Sequence, residues 1–205
     1  MSNNLMKKTI ILNESHKKCI NEWFSMLQQR SYPFNGGTHN GRKLQAELRR
    51  ATLPFGVMLH EGYFCLANAL FNDTHGLTPT PAHQQALAIF VAVAAFTRAN
   101  NEKVPFAAQL SERAKGGERN ILSPLRFQQL QASETPEEFC RRLIRAVKLR
   151  GEQGINLFSL ADGIFLWVQE QHNRPRNLSP EINPFERLSV RWAMDYYSTK
   201  KLPKE

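Results

Sequence analysis

Apolar residues recur three and four positions apart along nearly the whole chain, and alternating β-branched runs bounded by turn signals are scarce, so the pattern predicts an all-α protein. Residues 15–29 put Cys19, Ile20, Trp23, Phe24, Met26 and Leu27 on one broad helical face. The break Ser31-Tyr32-Pro33-Phe34-Asn35-Gly36-Gly37 reads as a flexible loop. Gly41 to Ala51 then reads as a short basic helix, and Pro54 restarts a helix running to about Leu70. Asn72-Asp73-Thr74-His75-Gly76 with Pro79 and Pro81 forms the next loop.

From Pro81 to Arg98 the chain is apolar almost all round, as a central helix surrounded by others should be, and Asn100-Asn101 ends it. Short helices near 105–115 and 124–131 flank Gly116-Gly117. Ser133-x-x-Pro136 leads into a strong helix that runs through Arg150 and is stopped by Gly151 and Gly154, with Glu137 and Glu138 suiting its N-terminal dipole. Residues 156–171 form another apolar helix, and a Pro/Asn linker over 173–184 precedes a last helix to about Tyr197. No internal repeat occurs at a fixed period.

With 205 residues and 41% hydrophobic composition, the chain can bury a sizeable core without disulfide or metal staples, as one domain or two small ones. Cys19, Cys65 and Cys140 lie far apart, so neither a disulfide framework nor a zinc ribbon is suggested and a reducing, cytoplasmic setting is expected. Thr9-Ile10-Ile11-Leu12 is too short for an export signal, and the longest charge-free apolar run, Ala86 to Phe96, is too short to span a bilayer. No membrane partner is expected.

The formal charge of +9 is patterned. Residues 1–50 carry nine Lys+Arg against three acids, and residues 98–150 carry eleven against six. Between them, residues 51–97 carry no Lys or Arg and two acids, and the last stretch is balanced at seven against seven. Clustered basic charge is the electrostatic footprint of a polyanion partner, although excess Lys and Arg can also serve solubility.

Enzymatic motifs are mostly missing: no phosphate-binding loop, no Gly-x-Ser-x-Gly elbow, no Gly-x-Gly-x-x-Gly turn. His60-Glu61 opens like a zincin motif, but position 64 is Phe, so the second ligand one turn on is lacking. The six histidines show no ligand spacing, and Asp73, Asp162 and Asp195 sit singly, so no catalytic residue, metal or cofactor is expected. Trp23, Phe90, Phe96, Phe165 and Trp167 fall on apolar faces and read as core. Tyr196, Tyr197 and Phe106 flank basic residues, with packing again favoured over base stacking.

The positive signal is the helix Pro136 to Arg150. Phe139, Cys140, Leu143, Ile144 and Val147 cover one side of its wheel, while Arg141, Arg145 and Lys148 stack on the other with Arg142 adjacent. No acid lies between Glu138 and Glu152 to interleave with these cations. Phosphate binding is favoured over a solvated face paired with acids of another helix. Arg49-Arg50 with Arg42-Lys43 forms a second candidate patch.

In order, the Trp-bearing first helix, Leu48-Arg49-Arg50-Ala51, His83-Gln84-Gln85-Ala86-Leu87, Leu125-Arg126-Phe127-x-x-Leu130, Arg141-Arg142-Leu143 and Trp167 resemble the CasB family, the small subunit of the type I-E CRISPR Cascade effector. The resemblance covers roughly residues 17–200. It implies two small helical bundles, 1–76 and 77–205, and a non-catalytic subunit that pairs head-to-tail with a second copy beside the other Cascade subunits. It further implies a basic track that helps hold the guide RNA–target DNA duplex and the displaced non-target strand of the R-loop, with cleavage left to a recruited partner. Carried onto matching positions, the nucleic-acid-binding candidates are Arg49, Arg50, Arg126, Arg141 and Arg142, to which the wheel adds Arg145 and Lys148. Two alternatives remain at this level: a helical protein–protein adaptor that ignores nucleic acid, and a sequence-specific DNA-binding regulator. The regulator would use Pro54 to Leu70 and its predecessor as a helix-turn-helix, but that second helix has no Arg or Lys to read bases.

Overall fold

A computed structural model describes residues 13–71, 77–114, 117, 119–173 and 183–198. Among them the chain forms nine α-helices and one two-stranded hairpin, the all-α class that the periodicity predicts. The elements are α1 (Glu14–Leu27), β1 (Tyr32–Phe34), β2 (Gly37–His39), α2 (Gly41–Arg50), α3 (Glu61–Leu70), α4 (Pro81–Ala94), α5 (Phe106–Ser111), α6 (Pro124–Gln131), α7 (Pro136–Arg150), α8 (Leu157–Asn173) and α9 (Leu188–Ser198). The Thr9–Leu12 run, the loop 72–76 that separates the two expected bundles, Gly116 and residues 174–182 of the linker lie outside the described residues.

Helix starts follow local chemistry. The side chains of Asn13, Asn40, Thr80, Ser123 and Thr135 each accept a hydrogen bond from a backbone N–H in the first turn of the helix they precede. Proline occupies the first turn of α4, α6 and α7, where its missing N–H leaves no bond unmade. Gly151, at φ 51°, ends α7 in a backbone region that a side chain would disfavour.

Four segments depart from expectation, the simplest being the helix near 105–115, which ends at Ser111 before an extended Glu112 (φ −58°, ψ 153°). Residues 32–39 are an antiparallel hairpin rather than a flexible loop, with Asn35 (φ 50°) and Gly36 (φ 78°) making the two-residue turn. A 2.9 Å hydrogen bond from Asn35 Nδ2 to the Cys65 carbonyl ties that hairpin to α3, and β1, with Phe34 buried, packs on α1. The helix expected from Pro54 to Leu70 is interrupted: Phe55–Leu59 is a 3₁₀ turn and His60 is extended (φ −113°, ψ 144°) before α3 begins. Tertiary packing sets that restart, because Trp23 Nε1 donates to the Gly62 carbonyl at 2.8 Å and a Cβ at Gly62 would lie 2.9 Å from Leu48 Cδ1. Finally, α4 ends at Ala94 rather than Arg98. The chain leaves the helix to form a parallel bridge in which Ile155 N donates to the Ala99 carbonyl and Asn101 N to the Ile155 carbonyl.

As expected, α4 is central: every residue from Ala86 to Ala95 is buried. It packs most extensively on α8 and also meets α2, α3, α7 and the 3₁₀ turn, so it touches elements from both sides of the loop 72–76. Aromatic pairs fill the other end of the core, with Phe139 stacked on Trp167 at 4.3 Å and Phe127 on Tyr196 at 4.0 Å between ring centres. Two arginines are buried as structural ions. Arg191 pairs with Asp162 of α8, and Arg150 bonds the carbonyls of Gly154 and Gln109 and the Glu112 carboxylate. None of the described helices is long and apolar enough to cross a membrane.

Candidate nucleic-acid interface

On α7 the apolar side of the wheel is buried as expected, with Phe139, Cys140, Leu143, Ile144 and Val147 all in the core. Arg141, Arg145 and Lys148 are exposed on the opposite side. Seven residues at 1.5 Å each set the first and last of these about 10 Å apart along the helix, the axial length of about three nucleotides of a strand.

Arg142 behaves differently. Its guanidinium donates to the Gln129 carbonyl and, at 3.0 Å, to the Ser133 hydroxyl, and lies 2.6 Å from Glu138 Oε1. Its side chain is only 26% exposed, and its bonds tie α7 to α6. Glu138, at the N-terminal edge of the acid-free run and four residues before Arg142, supplies the partner.

The two basic stretches meet at Phe96. This ring was expected in the core, but beyond the end of α4 it is only partly buried. Lys148 Nζ lies 4.4 Å from the ring centre and the Arg49 guanidinium carbon 5.8 Å, so α2 and α7 are joined through one aromatic face. Arg49 is further fixed by donating from Nε to the Ala95 carbonyl at 2.7 Å. Burial and the neighbouring Arg98 guanidinium lower the Arg49 pKa from its usual value, the mark of cations gathered in a partly desolvated place. Arg98 itself has an exposed partner, Glu152, at 3.7 Å.

Arg50 is exposed at the end of α2, beside Arg49. Arg126 is exposed on α6, one turn before the Gln129 carbonyl that Arg142 grips. Phe106 and Tyr196 are fully buried, and Tyr197 is 40% exposed. Sequence reasoning missed Phe96 and Arg98 as members of the cationic cluster. The Phe96-x-Arg98 pair just beyond an apolar helix was the available signal.

Fold and site together define an all-helical protein with a cationic surface assembled from two separate stretches of chain. The family model for CRISPR-associated protein Cse2 matches residues 44–197, most of the chain, so the protein belongs to that family, the CasB subunits of type I-E Cascade. Membership makes it a Cascade small subunit serving CRISPR defence, assembled with other Cascade subunits. The match runs from within α2 to within α9 and includes all seven candidate cations. Comparison with curated proteins and with solved structures gave no match.

Proposed function

We propose that this subunit holds nucleic-acid backbone inside Cascade, on a track formed by Arg141, Arg145 and Lys148 of α7 and continued through Phe96 to Arg49 and Arg50 of α2. The observation that carries the reading is the shared ring: Lys148 and Arg49, ninety-nine positions apart, stand over Phe96 with Arg98 close by. Like charges gathered this closely repel one another, and a phosphate backbone relieves that repulsion while releasing its own condensed counterions.

A sequence-neutral clamp needs cations aimed at phosphates and no base-reading helix, because pairing with the guide RNA selects the target. The subunit accordingly stabilises the R-loop and the displaced strand without catalysing a reaction, beside a second copy of itself, and works in the cytoplasm. Arg142 and Arg126 add to the potential of this face, while the contacts of Arg142 chiefly hold α6 against α7.

The test uses Cascade reconstituted with R141A/R145A/K148A. With assembly unchanged, R-loop lifetime is expected to shorten by roughly tenfold or more at physiological salt. An intact complex whose R-loop lifetime is unaltered would contradict the proposal.

A further inference from the structure

Away from the cationic face, the hairpin and α3 bring together His39, Glu61 and Cys65, whose ligand atoms all lie within 4.8 Å of one another. Glu61 and Cys65 are four residues apart and therefore share a face of α3. His39 is supplied by β2, which the Asn35–Gly36 turn and the Asn35–Cys65 hydrogen bond bring to that face. The spacing of histidines along the chain gives no hint of this cluster, because it depends on a hairpin whose three-residue strands are too short to show alternation.

The hydrogen-bond geometry of His39 is unusual. Its Nε2 faces the Phe34 carbonyl at 3.1 Å and its Nδ1 faces Glu61 Oε1 at 2.8 Å, so both ring nitrogens meet acceptors. A neutral imidazole carries one N–H and can satisfy only one of them. With Nε2–H donated to the Phe34 carbonyl, the Nδ1 lone pair points at a carboxylate oxygen and, at 3.9 Å, at Cys65 Sγ. A backbone carbonyl on the far nitrogen is the arrangement that fixes a metal-ligating histidine in its tautomer. A cation between the three atoms would convert the opposed lone pairs into ligands.

We propose that His39 Nδ1, Glu61 Oε1 and Cys65 Sγ form a binding site for a divalent metal of borderline softness, zinc being the best fit to one nitrogen, one oxygen and one sulfur. Tetrahedral zinc places such ligand atoms about 3.4 to 3.6 Å apart. The Nδ1–Oε1 separation must therefore open by a few tenths of an ångström, and the Nδ1–Sγ separation must close by about as much. Glu61, 60% exposed at its side chain, can open the first separation by a rotamer shift, a turn of the Cys65 side chain about χ1 closes the second, and the exposure of Glu61 leaves a fourth position to water. The bound ion would staple the hairpin to α3 and fix the chain where it enters α2, whose far end carries Arg49 and Arg50. This site stands independently of the nucleic-acid reading.

The test is calorimetric titration of the purified, metal-stripped chain with zinc, together with cobalt as an absorbing substitute. One equivalent per chain is expected, with a thiolate-to-cobalt charge-transfer band. C65S should abolish the band, and E61Q and H39N should each weaken zinc by roughly tenfold or more with the helical circular dichroism unchanged. Absence of stoichiometric binding, or binding that survives in H39N/E61Q/C65S, would overturn the proposal, leaving His39 as a hydrogen-bonded link between the hairpin and α3. If a variant loses its helical signal, the cobalt spectrum of the wild-type chain still decides, since no thiolate band means no site at Cys65.

Discussion

The Lys148 ammonium sits 4.4 Å from the centre of the Phe96 ring, which the Arg49 guanidinium approaches from α2. A cation over an aromatic face gains about 0.5–1 kcal/mol at an exposed site and loses some conformational freedom. The ring therefore pre-organises two cations before any anion arrives. Phe96→Leu preserves most of the packing but removes the ring quadrupole. Its expected effect is a loss of nucleic-acid affinity of about two- to fivefold, read by anisotropy titration, with a stability change below about 1.5 kcal/mol.

Arg142 and its neighbours on α7 should separate in experiment. Arg142→Ala removes the bonds to Gln129 of α6 and to Ser133 just beyond it, together with the pair to Glu138 within α7, so about 1–2 kcal/mol of stability should be lost in denaturant titration. Arg141→Ala/Arg145→Ala touches only exposed positions and should change stability by about 0.5 kcal/mol or less while weakening binding more than Arg142→Ala does.

Arg191 and Asp162 form an ion pair with side chains only 9% and 5% exposed. Removing Asp162 takes this buried pair out of the α8–α9 contact. Asp162→Ala is expected to destabilise the chain by about 2–3 kcal/mol, measured by chemical denaturation, more than loss of an exposed pair such as Arg98–Glu152.

What the sequence made legible, and what it did not, follows the range of the forces involved. The ends of α6 and α7 depend on Ser123, Thr135, their following prolines and Gly151, all local, and the expected spans 124–131 and 136–150 agree with the structure. The break at His60 depends on Trp23 and Leu48 meeting Gly62 across the fold, which no local pattern contains. The hairpin did carry a local sign, Asn35-Gly36, but its three-residue strands are too short to show alternation. The cations of α7 were visible as a helical stripe. Their connection to Arg49 was not, because it requires α4 to stop at Ala94 and turn Phe96 outward, and that turn is set by the distant bridge to Ile155.

Cys140 gives the fold a pH signature. Burial, reinforced by the Glu137 carboxylate, pushes its thiol up from 9.0 to about 12. Above the unfolded value the unfolded chain loses the proton while the native chain keeps it, so stability falls as pH rises through roughly 9 to 12. Cys140→Ala costs core packing but lacks this slope. The stability gap between wild type and Cys140→Ala should therefore narrow by about 1 kcal/mol per pH unit above pH 9 in alkaline denaturation curves.

The most direct test of the cationic face is the salt dependence of single-stranded DNA binding by the purified chain. About five phosphate contacts give a log–log slope near −3 to −4, and R141A/R145A/K148A should flatten it by about two units. No binding at low salt, or the same slope in that variant, would contradict a phosphate-holding role for α7 and assign its cations to protein contacts instead.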